Sequence, residues 1–166
     1  KSNVTGRILT DSIRMNRLFP QAGLGVFKLQ SSFTAKLDSA MNVCEAGLKG
    51  SIPAVDYKNY RYKTVDFNGL YNGKTFVSNI SIDNTNASVS LKGSLAKVGK
   101  MLDADVSAEV RHIMPQATNL SQKWGDAVFS GNLSATLRGS RLEDLNGRVN
   151  ISDLNLESPE RSYNLE

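Results

Sequence analysis

The chain has 166 residues, a net charge of +4 and only 7% aromatic residues. Its 20 lysines and arginines are spread along the whole chain without a block of like charge, which argues against a nucleic-acid-binding protein. One cysteine, Cys44, and one histidine, His112, exclude an internal disulfide and a metal site with several histidines. The chain begins at Lys1 rather than Met and lacks a signal peptide or transmembrane run, so we expect a segment of a longer protein.

Apolar and polar residues alternate with period 2 through most of the chain, and this alternation predicts about nine β-strands. The first 25 residues predict a weak strand at Val4–Thr10 and a short helical turn from Asp11 to Phe19, which must end before Pro20. The strands predicted after it are Val26–Asp38, Val43–Ala54, Tyr57–Tyr71, Lys74–Asp83, 87–95, Met101–Val110, Ala127–Leu137 and Leu145–Leu156.

Four local signals interrupt this pattern. Pro53 predicts the end of a strand or an edge strand, because proline has no N–H for a sheet. Asn72-Gly73 predicts a hairpin with a type I′ turn. A change of parity predicts a β-bulge near Asp153. Pro115–Lys123 is the only interior stretch that predicts a helix, with Gly125 after its end.

The tetrapeptide Leu-(Lys/Arg)-Gly-Ser occurs three times, at Leu48, Leu91 and Leu137, with spacings of 43 and 46 residues. We interpret it as a strand ending, and a period in this range indicates a repeated unit of several strands. We therefore treat residues 1–166 as a single segment built from approximate units 26–51, 52–94, 95–140 and a partial unit 141–166.

The one-sided alternation predicts an all-β fold: a long curved antiparallel sheet with an apolar groove and one or two short helices. A β-sandwich must seal two faces with bulky side chains, whereas many inward positions here are Ala, Gly or Ser. An apolar surface that the protein does not seal marks a binding site. The alternative, that the same residues form an ordinary sealed core, stays open. The predicted groove residues are Phe27, Leu29, Phe33, Leu37, Phe76, Ile80, Ile82, Val89, Leu91, Val106, Phe129, Leu133, Leu137, Val149 and Ile151.

Three stretches carry a resemblance to a known family. Residues Gly139 to Leu154 read Gly-Ser-x-Leu-x-Asp-Leu-x-Gly-x-Val-x-Ile-x-Asp-Leu. Together with the repeated tetrapeptide, this pattern resembles the TamB and AsmA-like proteins of Gram-negative bacteria. Val55–Tyr62, which a hairpin follows, and Val110–Pro115 are similar to stretches of TamB-like proteins with β-rich repeats. The resemblance covers most of the chain from Phe27 onward.

The resemblance implies a U-shaped sheet with an apolar lumen, often called a β-taco, in a protein anchored in the inner membrane and extending through the periplasm. It further implies phospholipid transport between the two membranes and a role in outer-membrane biogenesis. The implied partners are phospholipid and an outer-membrane barrel of the TamA or BamA type, which other parts of the full-length protein would contact. On this interpretation the chain is an internal segment with no cofactor, no metal and no catalytic residue.

Other classes of protein compete with the lipid conduit as interpretations of the sequence. An enzyme is disfavoured because the best candidates for paired catalytic carboxylates are Asp103 and Asp105. Their alternation with apolar residues is typical of the solvent-exposed face of a strand. Six Asn-x-Ser/Thr triplets would suit a surface adhesin or glycan-binding domain, although such triplets arise by chance in a chain rich in Ser and Asn. The basic and aromatic run Lys58–Lys63 could stack on single-stranded nucleic acid, but an exposed strand face is the better interpretation of it. A sealed β-domain that acts as a structural scaffold is the remaining alternative.

Overall fold

A computed structural model of the chain describes residues 2–18, 20–141, 144–158 and 161–165. β-Strands make up most of these residues, and the helical parts are the single turn α1 (Met15–Leu18) and a 3₁₀ turn at Pro20–Ala22. The strands are β1 (Ser2–Arg14), β2 (Leu24–Leu37), β3 (Val43–Tyr57), β4 (Tyr60–Tyr71), β5 (Thr75–Asn84), β6 (Ala87–Val98), β7 (Met101–Ile113), β8 (Val128–Gly139), β9 (Asn146–Ser158) and β10 (Arg161–Leu165).

The ten described strands form one antiparallel sheet in which their order in space is their order in the chain. Each strand pairs with the strands before and after it, and tertiary contacts follow this neighbour pairing. Short turns explain the order from β3 to β7, because they allow the chain to return only to the strand it has just left. The longer segment 114–127 also joins two paired strands, β7 and β8. The prediction of an all-β, open antiparallel sheet with one or two short helices is confirmed. The described strands do not divide into the two packed layers of a sandwich.

The turns differ in detail from the prediction. Lys58 and Asn59 both have positive φ, 48° and 64°, and they form the tight two-residue turn between the paired residues Tyr57 and Tyr60. The predicted hairpin at Asn72-Gly73 is present, but a type I′ turn there is wrong. Only Gly73 of that pair has positive φ, 87°, and the Asn72 Oδ1 atom instead accepts the backbone N–H groups of residues 74 and 75.

Pro53 lies inside β3 rather than at its end or in an edge strand. The sheet accommodates it by local irregularity, because the pairing of β3 with β2 shifts register between Ser51 and Val55. On the other side Thr64, which would face Pro53, has positive φ, 55°, and is not paired. The missing N–H therefore breaks no ladder, as expected for a proline in a bulge.

The helix predicted at Pro115–Lys123 is also wrong, since this stretch forms a single turn without regular helix. Asn119 has positive φ, 58°, and its N–H donates to the Gln116 carbonyl oxygen at 3.1 Å. The N–H of Leu120 donates to the Pro115 carbonyl oxygen at 2.8 Å. These two bonds are the Schellman arrangement that ends a helix, and here it follows one turn after Pro115.

The bulge predicted near Asp153 is confirmed. Asp153 has positive φ, 53°, and the pairing of β8 with β9 shifts register between Ser130 and Asn132. The helical turn predicted from Asp11 to Phe19 is shorter than expected. Its first residues, Asp11 to Arg14, belong to β1, and α1 forms the turn itself. Phe19 lies outside the described residues.

The three Leu-(Lys/Arg)-Gly-Ser tetrapeptides lie within β3, within β6 and at the end of β8, so only the third ends a strand. The spacing of 43 residues leads from β3 to β6 and the spacing of 46 from β6 to β8, and β3 therefore runs opposite to the other two strands. In all three copies, however, alternation places Leu and Gly on the same face of the sheet. None of the helices within the described residues has the length and apolar character needed to span a membrane.

Candidate functional site: an open apolar face

One face of the sheet carries a continuous row of small and apolar residues, one from each of nine strands. The pairing register aligns these residues directly opposite one another from strand to strand. From β1 to β9 they are Ile8, Ser31, Gly50, Phe67, Ile80, Leu91, Ala108, Leu133 and Ile151. We call the side of the sheet that carries this row the apolar face, and the other side the polar face. At about 4.8 Å per strand the row spans roughly 40 Å.

Strand alternation and register place all fifteen predicted groove residues on the apolar face. None of the fifteen is fully buried. Val149 and Ile151 are 58% and 60% exposed, and Phe76 and Ile80 are 43% and 39% exposed. Because side chains in a sealed core have little exposure, most of this face has no protein layer over it in the described part of the chain.

Several exposed residues of the same face were not among the fifteen. Val4, Ile8 and Leu48 belong to it by register and are 41 to 43% exposed. Part of their signal was present in the sequence, since Val4 and Ile8 share one parity in β1 and Leu48 shares the parity of Ile52 in β3. Leu48 also belongs to the first copy of the repeated tetrapeptide.

One end of the apolar face is sealed. Tyr62, Val65 and Ala87 are buried there, with 8%, 7% and 1% exposure. The positive φ of Thr64 reverses the alternation of β4, so that Tyr62 and Val65 lie on the same side although they are three residues apart. The partly buried residues packed around these three are Ile52, Val55, Tyr57, Tyr60, Ile82 and Ile113.

Residues 114–127, which we call the capping loop, close this end. Thr118 in the loop is completely buried, and its hydroxyl donates to the Met114 carbonyl oxygen at 2.8 Å. The N–H of Met114 donates to the Asn86 carbonyl oxygen at 2.9 Å, which ties the loop to the turn between β5 and β6. Trp124 packs edge-to-face on Phe129 with 5.2 Å between ring centroids.

The Tyr62 phenol lies under this loop. Burial raises its pKa, and a hydrogen bond with Thr118 offsets part of that rise. The neighbouring Tyr60 ring packs edge-to-face on it, with 4.7 Å between centroids. The completely buried Thr118 hydroxyl is thus hydrogen-bonded, as a stable core requires.

Charged and amide side chains pair across the strands of the polar face. Arg138 makes two bonds to Asp103, at 2.6 and 3.0 Å, and these bonds lower the pKa of the Asp103 carboxyl. Asp105 accepts a hydrogen bond from Thr136 at 3.0 Å. Both carboxylates therefore bond to β8, and neither is directed at the other. Arg61 likewise makes two bonds to Asp56 and lowers the pKa of its carboxyl.

The clefts beside these residues are also on the polar side. One cleft of about 610 Å³ is lined by residues of β1 to β5, including Lys36, Glu45 and Leu70. His112 is half-buried, and its Nε2 lies 3.1 Å from the carbonyl oxygens of Asn84 and Thr85. Among the described residues there is no group of three or more acidic, His or Cys side chains that could hold a metal ion.

Comparison of the chain with protein-family models, with curated proteins and with solved structures found no match in any of the three.

Proposed function

We propose that this chain is a periplasmic segment of a TamB/AsmA-like envelope protein, and that its apolar face shields phospholipid acyl chains during transport between the inner and outer membranes. On this proposal the segment supports outer-membrane biogenesis. A barrel of the TamA or BamA type would act through other parts of the full-length protein. The observation that carries the proposal is the row of small and apolar residues across nine strands with little cover over it.

The physical chemistry of the face suits transport better than tight binding. Covering an acyl chain contributes about 0.8 kcal/mol per CH₂ group. The row offers similar residues strand after strand, such as Ile80, Leu91 and Leu133, without one deep pocket among them. A lipid held on such a surface leaves water but moves between sites of similar energy. No nucleotide is needed for that movement within the segment.

Site-specific photo-crosslinking tests the proposal. Ile151 and Asn150 are neighbours in β9, both are exposed, and they lie on opposite faces of the sheet. We would place a benzophenone amino acid at each position separately and irradiate the purified chain with vesicles of phosphatidylethanolamine and phosphatidylglycerol. We expect phospholipid adducts at Ile151 and few at Asn150. Leu133 and Ser134, their partners in β8, form a second matched pair.

Two outcomes would contradict the proposal. Equal labelling at Ile151 and Asn150 would indicate nonspecific contact with the vesicle. The second outcome is an absence of adducts at Ile151, Asn150 and Leu133 while circular dichroism shows folded protein. It would favour a structural scaffold, in which another protein covers the apolar face.

A further inference from the structure

Three lysines gather at the end of the sheet opposite the capping loop. Lys74 and Lys100 lie in the turns before β5 and before β7, and Lys97 is near the end of β6. The N–H of Lys97 donates to the Lys74 carbonyl oxygen at 3.4 Å, so these two residues lie side by side where β5 and β6 pair. β7 links the two ends, since it begins beside Lys100 and runs to the capping loop.

This grouping is electrostatically unfavourable as it stands, because like charges opposite each other on paired strands destabilise a sheet. All three lysines are exposed, and in the described part of the chain none has a carboxylate within 4.0 Å. Nearby carboxylates have other partners: Asp103 bonds to Arg138, and Asp144 lies 3.5 Å from Arg141. The lysines thus present positive charge that the sheet itself does not neutralise.

The lysines also border the apolar face. Lys97 lies two residues after Leu95 in β6 and therefore on the same face of the sheet. It also pairs with Leu102 of β7, which belongs to the apolar face. Leu95 in turn pairs with Phe76, whose side chain is 43% exposed. A cationic rim therefore adjoins exposed apolar surface, and this combination is complementary to an amphiphile with an anionic head.

We propose that Lys74 and Lys97, with Lys100 beside them, hold the anionic headgroup of a phospholipid whose acyl chains lie on the apolar face. This inference rests on the proposed function. It adds an orientation of the bound lipid. Because the capping loop closes one end of the apolar face, the headgroup lies at the other end, beside the lysines. It also adds a preference for lipids of net negative charge.

The test compares two lipids and two charge-matched variants. The purified chain is incubated with vesicles that contain fluorescent phosphatidylglycerol or phosphatidylcholine with the same acyl chains, and protein-bound lipid is measured after the vesicles are removed. We expect the wild type to prefer phosphatidylglycerol. In the K74Q/K97Q variant this preference falls by roughly an order of magnitude at low salt, and phosphatidylcholine binding is unchanged. The control variant K49Q/K92Q removes the same charge from the polar face and keeps the preference.

Each other outcome overturns the inference. If K49Q/K92Q loses the preference to the same extent, overall charge rather than the lysine rim is responsible. If glycerol phosphate alone binds as tightly as the lipid, the rim is a site for free phosphate. If binding shows no headgroup preference, this inference fails while the proposed function stands. If neither lipid binds to folded protein, or if a second copy covers the face, the proposed function fails as well.

Discussion

At the scale of single residues, the backbone of Thr64 decides where the buried core lies. Its positive φ, 55°, shifts the alternation of β4 by one position. As a result Tyr62 joins Val65 under the capping loop, whereas strict alternation would place them on opposite faces. Thr64 is a β-branched residue in the left-handed region, which costs of order 1 to 2 kcal/mol unless surrounding contacts compensate. This conformation is accompanied by the burial of Tyr62, which is 8% exposed.

Tyr62 gives the chain a predicted sensitivity to alkaline pH. Burial raises the pKa of its phenol above the ordinary value of about 10. The folded state therefore holds this proton more tightly than the unfolded state, and the stabilisation is complete below about pH 10 and is lost as pH rises further. We expect the free energy of unfolding, measured in urea, to fall less steeply above pH 10 in Tyr62→Phe than in wild type.

Tyr71→Phe, at the opposite end of β4, is the matched control and should keep the steep dependence. At neutral pH Tyr62→Phe should cost about 1 kcal/mol, because it removes the hydrogen bond with Thr118. If the free energy of unfolding falls equally steeply above pH 10 in Tyr62→Phe and in wild type, the Tyr62 phenol is not buried under the capping loop.

At the scale of strands, the repeated tetrapeptide has different surroundings in each copy. Gly50 in β3 lies against β2, where an added Cβ would overlap the Gln30 carbonyl oxygen and lie 2.7 Å from the Ser31 Cβ. Gly93 in β6 has room, since its added Cβ would lie 3.4 Å from the Ser78 Oγ. The same tetrapeptide therefore has a closely packed glycine in the β3 copy but not in the β6 copy.

This difference predicts opposite effects for the same substitution. Gly50→Ala should lower the free energy of unfolding by about 1 to 3 kcal/mol, because the strands must move apart to admit the methyl group. Gly93→Ala should be neutral or stabilising by up to about 1 kcal/mol, because alanine loses less backbone entropy on folding. Urea unfolding of the two variants measures the difference. Equal destabilisation would mean that both copies have the same close packing.

At the scale of the whole molecule, the sheet has a sealed end and an open remainder. Val65 is 7% exposed under the capping loop, and Val149 is 58% exposed on the same face. Val65→Ala should therefore cost about 2 kcal/mol in unfolding free energy, from lost burial and a residual cavity. Val149→Ala should cost less than about 1 kcal/mol. Similar losses in both variants would indicate that the open region is covered in solution.

The sequence predicted most of this architecture because alternation and short turns are local signals. Alternation was enough to assign all fifteen groove residues to one face. The features that were predicted wrongly depend on local backbone conformations and hydrogen bonds that an alternation pattern does not signal. Pro53 fits inside a strand because the pairing with β2 is irregular there and Thr64 across from it is unpaired, and Asn119 ends the predicted helix after one turn. The capping loop seals one end of the apolar face because Thr118 is buried there. No local sequence pattern predicts this burial.

Neighbour-only pairing has a consequence for how such a protein changes in evolution. No described strand crosses over another to find its partner. A hairpin inserted in the middle would therefore interrupt only one existing strand pairing and leave the other pairings intact, so the length of the sheet is free to vary as it is in solenoid proteins. The same independence limits cooperativity, since distant strands communicate only through every strand between them. Evolution can then change the length of the sheet by changing the number of hairpins, without altering a core that all strands share.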